Sequence, residues 1–231
     1  GKITATDAKK AADSDHGIEV ALFGRMVADS KDLNVDSAVQ VAHALSTHAV
    51  EIESDYFTAV DDYKLDEDDA GAGMIGTVEF TSETLYRFAA VAVSTLKDNL
   101  GDVDLTAQAA SAFVRGFIMS MPTGKQNTFA NNTIPDAVVV QVRKGRSASF
   151  IGAFEDPVTS DDGGFVAASC QAVAAYAHDC EEAFLGAPEA SFVTRVGSRT
   201  EAIGTMGTQM PIDDLVSSVR DQVTSLLQDE S

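Results

Sequence analysis

Residues 61–73 read DDYKLDEDDAGAG, with six carboxylates and two glycines in one short stretch. A segment this acidic and glycine-rich cannot bury enough apolar surface to order itself, so it reads as a mobile loop. Residues 49–53 rise into it as a strand, and Met74–Phe80 returns from it as another. Two strands joined by an unpackable loop make a long β-hairpin. Tyr56 and Phe57 fall near its tip, beside the run FTAVDD of residues 57–62, where no core is evident to receive them.

Adjacent aromatics on a protruding hairpin suit stacking on nucleotide bases or wedging between them. They can equally pack beneath their own hairpin. Net charge weighs against nucleic acid if taken as a sum: 16 Lys and Arg face 36 Asp and Glu, a formal −20. Phosphate binding is driven by basic residues and counterion release. An acidic solvated surface accounts for the total without saying anything of the fold, so the placement of the cations matters more than their number.

The 231 residues, 45% of them hydrophobic, suffice for one sizeable core. No run approaches the ~18–20 apolar residues of a membrane span, and no signal peptide opens the chain. No membrane partner and a cytoplasmic location are therefore expected. Cys170 and Cys180 share a helical pattern ten residues apart. On one helix that is roughly 15 Å, too far for a disulfide.

Along the chain, Ile18–Phe23 (IEVALF) reads as a buried strand ended by Gly24. Val35, Ala38, Val39, Ala42 and Leu45 recur at helical spacing, which predicts an amphipathic helix over residues 35–47 with Asn34 as N-cap. On that helix Leu45→Asp would bury a charge. Residues 84–93 read as the best strand, 106–119 as an apolar helix stopped by Pro122, and 122–130 as a polar loop. Ala137–Val142 reads as a buried strand running into the cationic group Arg143, Lys144 and Arg146. An Ala-rich helix over 165–185, a strand over 191–196 and a helix over 212–227 behind Pro211 close the chain. The order predicts an α+β fold, nearer a ferredoxin-like split βαβ than a doubly wound sheet.

No nucleophile, base and orienter set emerges, so no enzymatic activity and no cofactor are expected. His43 and His48, five apart on the expected helix, would lie about 140° from each other and could not share a metal. The Asp61–Asp62 pair reads as solvated loop charge, and Cys170 with His178 as part of an apolar helix. Gly124, Lys125, Gln126, Asn127 and Thr128 gather a cation, two amides and a hydroxyl in one loop, groups that bind phosphate and sugar oxygens. An ordinary polar connector fits them as well. Met26 reads as core or as a base contact.

Six motifs then occur in order. They are Gly24-Arg25-Met26, Ala42-His43-Ala44 with Thr47-His48, the run from Tyr56 to Asp62, Gly76-Thr77 with Glu79-Phe80, Tyr86-Arg87-Phe88-Ala89, and Pro122-x-x-Lys125-Gln126-x-Thr128-x-Ala130. Their order and spacing resemble the CasC family, the CRISPR-RNA-binding backbone subunit of type I-E Cascade. The resemblance spans about residues 17–154, and more loosely the remainder. It implies an RNA-recognition-motif-like (ferredoxin-like) palm, with residues 50–84 as a β-hairpin thumb inside a single domain of residues 1–231. It implies copies stacked along a CRISPR guide RNA, each thumb displacing a nucleotide at regular intervals. Target DNA would be reached through the guide, and other copies and other Cascade subunits would be the protein partners. Tyr56, Phe57 and Thr58 would sit at the kinked nucleotide and Met26 against a neighbouring base. Arg25, Lys125, Gln126 and Thr128 would contact the RNA backbone.

Two departures accompany the resemblance. The family usually has Trp where this chain has Tyr56, a change that keeps stacking but reduces its area. The family also opens with a basic segment of the type RRxRxSSQ, which is not found here. The chain is therefore expected to be a C-terminal portion lacking the N-terminal part of the palm and the fingers. Competing readings are a protein-interaction module docking a basic partner through its acidic hairpin, and a hydrolase using His43 or His48 with Asp61.

Overall fold

The computed structural model describes residues 17–59, 74–160 and 164–229. The loop 61–73 and the Asp61–Asp62 pair lie outside the described residues. Helix α1 (Ile18–Phe23) leads to strands β1 (Val39–Val41), β2 (Leu45–Ser46) and β3 (Glu53–Ala59). Strands β4 (Met74–Phe80), β5 (Leu85–Tyr86) and β6 (Ala89–Val91) run back, followed by helices α2 (Val93–Leu100) and α3 (Val103–Met119) and the single turn α4 (Gln126–Phe129). Then come β7 (Ala137–Val142), α5 (Val166–Cys180), β8 (Ala190–Arg195), β9 (Thr208–Gln209) and α6 (Ile212–Asp229). The α+β class matches the sequence reading.

The largest sheet among the described residues is β7-β8-β9, antiparallel and then parallel. Side chains alternate across a strand, and here both faces are covered. Val138, Val140 and Phe192 pack with Ile118 of α3 and with Leu215, Val219, Val223 and Leu227 of α6. Ala137, Val139 and Val193 meet Cys170, Val173 and Ala177 of α5 on the other side. Burial on both faces is why AVVVQV is an almost unbroken apolar run. The α6 stripe recurs every four residues, a single helix face, and each fully buried side chain contributes about 1.5–3 kcal/mol. Asp102 caps α3 by accepting the Leu105 N–H at 2.7 Å, worth about 1 kcal/mol.

Several sequence expectations are corrected, among them the outgoing hairpin strand, expected over residues 49–53 and found at Glu53–Ala59. Ile18–Phe23 is a helix, not a strand. A short apolar run carries no decisive period, and burial falls on Ala21 and Leu22 while Ile18 and Phe23 stay exposed. Gly24 ends this helix at φ +77°, where a Cβ would come within 2.7 Å of the Val35 carbonyl. Residues 35–47 form no helix. The Asn34 side chain does not cap one; it accepts the Val27 N–H at 2.6 Å. Ala38 N–H donates to Leu22 O, and β1 pairs with β6, so long-range pairing overrides local spacing. Leu45, expected on a buried face, is 50% exposed.

Residues 84–93 hold two short strands, and α2 begins at Val93. Val93, Leu96 and Leu100 have helical spacing, and Gly101 closes the turn in the left-handed region. Asn99 on this helix donates to the Ala21 and Asp36 carbonyls at 2.9 and 3.0 Å, tying α2 to α1 and to the entry of β1. No helix among the described residues is long and apolar enough to cross a membrane.

Candidate nucleic-acid interface

Strands β1 to β6 form one antiparallel ribbon with two interruptions. Its three ladders pair Val41 with Ala89, Ser46 with Leu85, and Glu53 with Phe80 at their facing ends. From Val41 to Leu45 the outgoing strand advances four residues while the returning strand, Ala89 to Tyr86, uses three. From Ser46 to Glu53 it advances seven against five. Extra residues on one strand bend and twist a ribbon. Bonds from Ala42 N–H to Phe88 O (3.0 Å) and Thr47 N–H to Thr84 O (2.9 Å) carry the pairing through the bends.

The root of the ribbon is stitched to the body. Buried Thr47 accepts a bond from the Ser169 hydroxyl at 2.8 Å, and its carbonyl accepts the Val158 N–H. The Tyr86 hydroxyl accepts the Phe150 N–H at 3.0 Å. His48 stacks on Phe165 with ring centroids 3.7 Å apart. Its Nε2 accepts the Thr84 N–H at 3.0 Å, which leaves the proton on Nδ1 to donate to the Ala49 carbonyl at 2.8 Å. Both ring nitrogens are thus engaged with backbone. His43 is exposed, and the two histidines share no helix.

Beyond the root, β3 and β4 are mostly solvent-exposed. Tyr56 and Phe57 do not sit at the tip but in the middle of β3, opposite Thr77 and Gly76. Neighbouring strand residues point to opposite faces, so the ribbon offers one aromatic ring on each side. Tyr56 is 62% exposed and makes no ring contact among the described residues, whereas Phe57 lies across Gly76. Thr58 pairs with Ile75 and shares the Tyr56 face.

The polar segment 121–130 runs beside the returning strand and touches it twice. Phe129 meets Phe80 with ring centroids 6.1 Å apart, and Met121 Sδ lies 3.4 Å from Arg87 Nη1. Between these contacts Lys125, Gln126 and Thr128 are all exposed. Lys125 (φ 60°) and Ala130 (φ 50°) bracket α4 in the left-handed region. Such geometry is uncommon and costly in non-glycine residues and clusters at functional sites. The Gln126 amide donates to Asn132 Oδ1 at 3.2 Å. Segment and ribbon root therefore form one surface.

Arg25 and Met26 stand elsewhere, beside α1. Arg25 exchanges backbone bonds with Val35, and its Nε donates to the Leu33 carbonyl at 2.8 Å. Met26 next to it is 88% exposed. The sequence cluster at 143–146 divides in two. Arg143 is a structural residue, its side chain 8% exposed and ion-paired to Glu181, with a further bond to the Gly186 carbonyl. It holds the π-helical turn Glu181–Leu185 against β7 and is not available to a ligand. Lys144 and Arg146 are exposed. Cys170 is buried, and desolvation, with the Asp136 carboxylate adding to it, pushes its thiol up to about 11. Among the described residues no His, Cys, Asp or Glu cluster could hold a metal. Sequence reading missed the anchoring roles of Thr47, His48 and Tyr86, whose only signal was membership of ordered motifs.

The chain belongs to the CT1975-like protein family of CRISPR-associated (Cas) proteins, whose model matches residues 1–218. Two solved structures are similar throughout the chain. One is a chain of a CRISPR RNA-guided surveillance complex, pre-nicking, 33% identical with a TM-score of 0.80; the match covers 93% of this chain and 58% of that one. The other, also from a CRISPR RNA-guided surveillance complex, is 34% identical with a TM-score of 0.75, covering 94% of this chain and 85% of its own. No curated protein matches.

Proposed function

We propose that this chain is a non-catalytic, guide-RNA-binding backbone subunit of a Cascade-type surveillance complex, of the type I-E CasC kind. Copies stack along the guide, with the exposed ribbon as thumb and the β7-β8-β9 layer as part of an RNA-recognition-motif-like palm. The observation that carries this reading is the ribbon itself: two aromatic rings back to back on β3, in a ribbon whose root carries the exposed Lys125, Gln126 and Thr128. A ribbon with a ring on each face can enter a single strand as a wedge. One base stacks on Tyr56, the next meets the Phe57 side, and the nucleotide between them is displaced. Such contacts are sequence-tolerant, as a subunit meeting any guide requires. Membership of the Cas proteins and likeness to chains of guided surveillance complexes support the same reading.

The test is reconstitution of the complex with Tyr56→Ala and with Phe57→Ala, followed by chemical probing of the guide. Periodic hyper-reactive nucleotides should be present with the wild-type chain and weakened or lost with either variant. An unaltered pattern in both would remove the thumb assignment. A second reading keeps one observation of its own: Glu53, Asp55 and Glu79 leave the described ribbon acidic. A basic protein partner on that ribbon would be released by Glu53→Gln with Asp55→Asn, while RNA binding would not weaken.

A further inference from the structure

Arg87 stands between β5 and β6 at the root of the ribbon. Its guanidinium carbon lies 4.4 Å from the centroid of the Phe117 ring, and Nη1 rests on Met121 Sδ at 3.4 Å. A guanidinium carries five N–H donors and is always charged. Among the described residues, the other half-buried arginines each have an oxygen acceptor. Arg25 has the Leu33 carbonyl, Arg143 has Glu181, and Arg195 has Gln209 and the Gly197 carbonyl. Among the described residues Arg87 has only a thioether, in a chain where acids outnumber bases 36 to 16. A carboxylate partner was not scarce, yet none faces it among the described residues.

We propose that Arg87 is a phosphate-binding residue, gripping a backbone phosphate of single-stranded RNA where the strand passes the ribbon root; this rests on the RNA-binding reading above. The guanidinium carbon sits over the Phe117 face and Met121 Sδ takes one Nη1–H, which leaves the rest of the fork for two parallel bonds to phosphate oxygens. Met121 opens the segment that carries Lys125, Gln126 and Thr128. One strand can therefore meet Arg87 and that segment in succession. The position of the guanidinium over an aromatic face, with a fork of donors left over, also explains why an arginine rather than a lysine suits this position.

The experiment measures binding of a single-stranded oligouridylate by the full chain and by Arg87→Ala and Arg87→Lys across a salt series. Arg87→Ala should bind several-fold more weakly, with the slope of log K against log salt reduced by about 0.7, the value of one lost contact on a single strand. Arg87→Lys should keep the slope yet remain weaker than wild type. A normal melting temperature in both variants excludes misfolding. If wild type binds and Arg87→Ala binds equally with the same slope, the Arg87 assignment is overturned and the RNA-binding reading survives. If wild type does not bind, that reading fails. Inorganic pyrophosphate then decides: a saturable NMR shift at the Arg87 Nε–H, absent with chloride at equal ionic strength, upholds the anion site, and no shift overturns it.

Discussion

Gly76→Ala separates the aromatic face of the ribbon from everything else in the protein. A Cβ at Gly76 would fall 2.5 Å from Phe57 Cζ and 2.7 Å from Cε1. Carbon atoms in contact rest near 3.5–4.0 Å, so the ring must retreat by about 1 Å. It can do so by leaning off its rotamer, at about 0.5–1.5 kcal/mol, or by swinging into solvent. Alanine recovers part of this, because glycine within a strand weakens it by roughly 0.5–1 kcal/mol. No residue of β3 or β4 belongs to a core cluster, so the net effect on global stability should stay within about 1 kcal/mol. For a chain of this size that is a shift of about 2–4 °C at most. The guide, by contrast, should lose the Phe57 surface. Melting curves and chemical probing of the guide in the reconstituted complex read the two effects apart. Gly76→Ala should melt like wild type and probe like Phe57→Ala. A variant that probes like wild type while Phe57→Ala does not would refute the claim that the ring over Gly76 forms the contact.

Three further outcomes follow from the fold. Leu215→Ala empties a fully buried position between α3, α6 and the sheet and should cost about 2–5 kcal/mol by denaturant titration. Leu45→Asp, which the helical spacing of residues 35–47 would make disruptive, places its charge on a half-exposed strand position opposite Tyr86; the midpoint should move by no more than about 1 kcal/mol. Cys170 titrates near 11 when folded and near 9 when not. As pH rises through that window the unfolded chain loses its proton first, so stability should fall between pH 9 and 11, by about 2.7 kcal/mol at most. Cys170→Ala should flatten that part of the stability profile, and an unchanged profile would show that the thiol does not titrate there.

Where one element's own residues decided its form, the sequence was sufficient. Ala137–Val142 is a strand with the expected bounds because its run of β-branched valines suits a strand buried on both faces. The helix behind Pro211, the apolar helix ahead of Pro122 and the returning strand Met74–Phe80 were legible for the same local reason, whereas the outgoing strand, expected over residues 49–53, runs over Glu53–Ala59. The exposure of the polar group at 125–128 was legible from its composition, while the exposure of Tyr56, which the sequence left open between solvent and its own hairpin, was not. Tertiary structure decided what depends on partners distant in the chain. Residues 35–47 carry helical spacing but are held extended by Ala89–Val91. Arg143 looked like a free cation until Glu181 met it from the far end of α5. Tyr56 and Phe57, expected near the hairpin tip, were placed in mid-strand opposite Thr77 and Gly76 only by the β3–β4 register. Arg87 acquired its setting from Phe117 and Met121, thirty and more positions away. Local propensity is a weak bias of tenths of a kcal/mol per residue. A buried long-range contact or ion pair is worth more, and where the two conflict the stronger interaction sets the conformation.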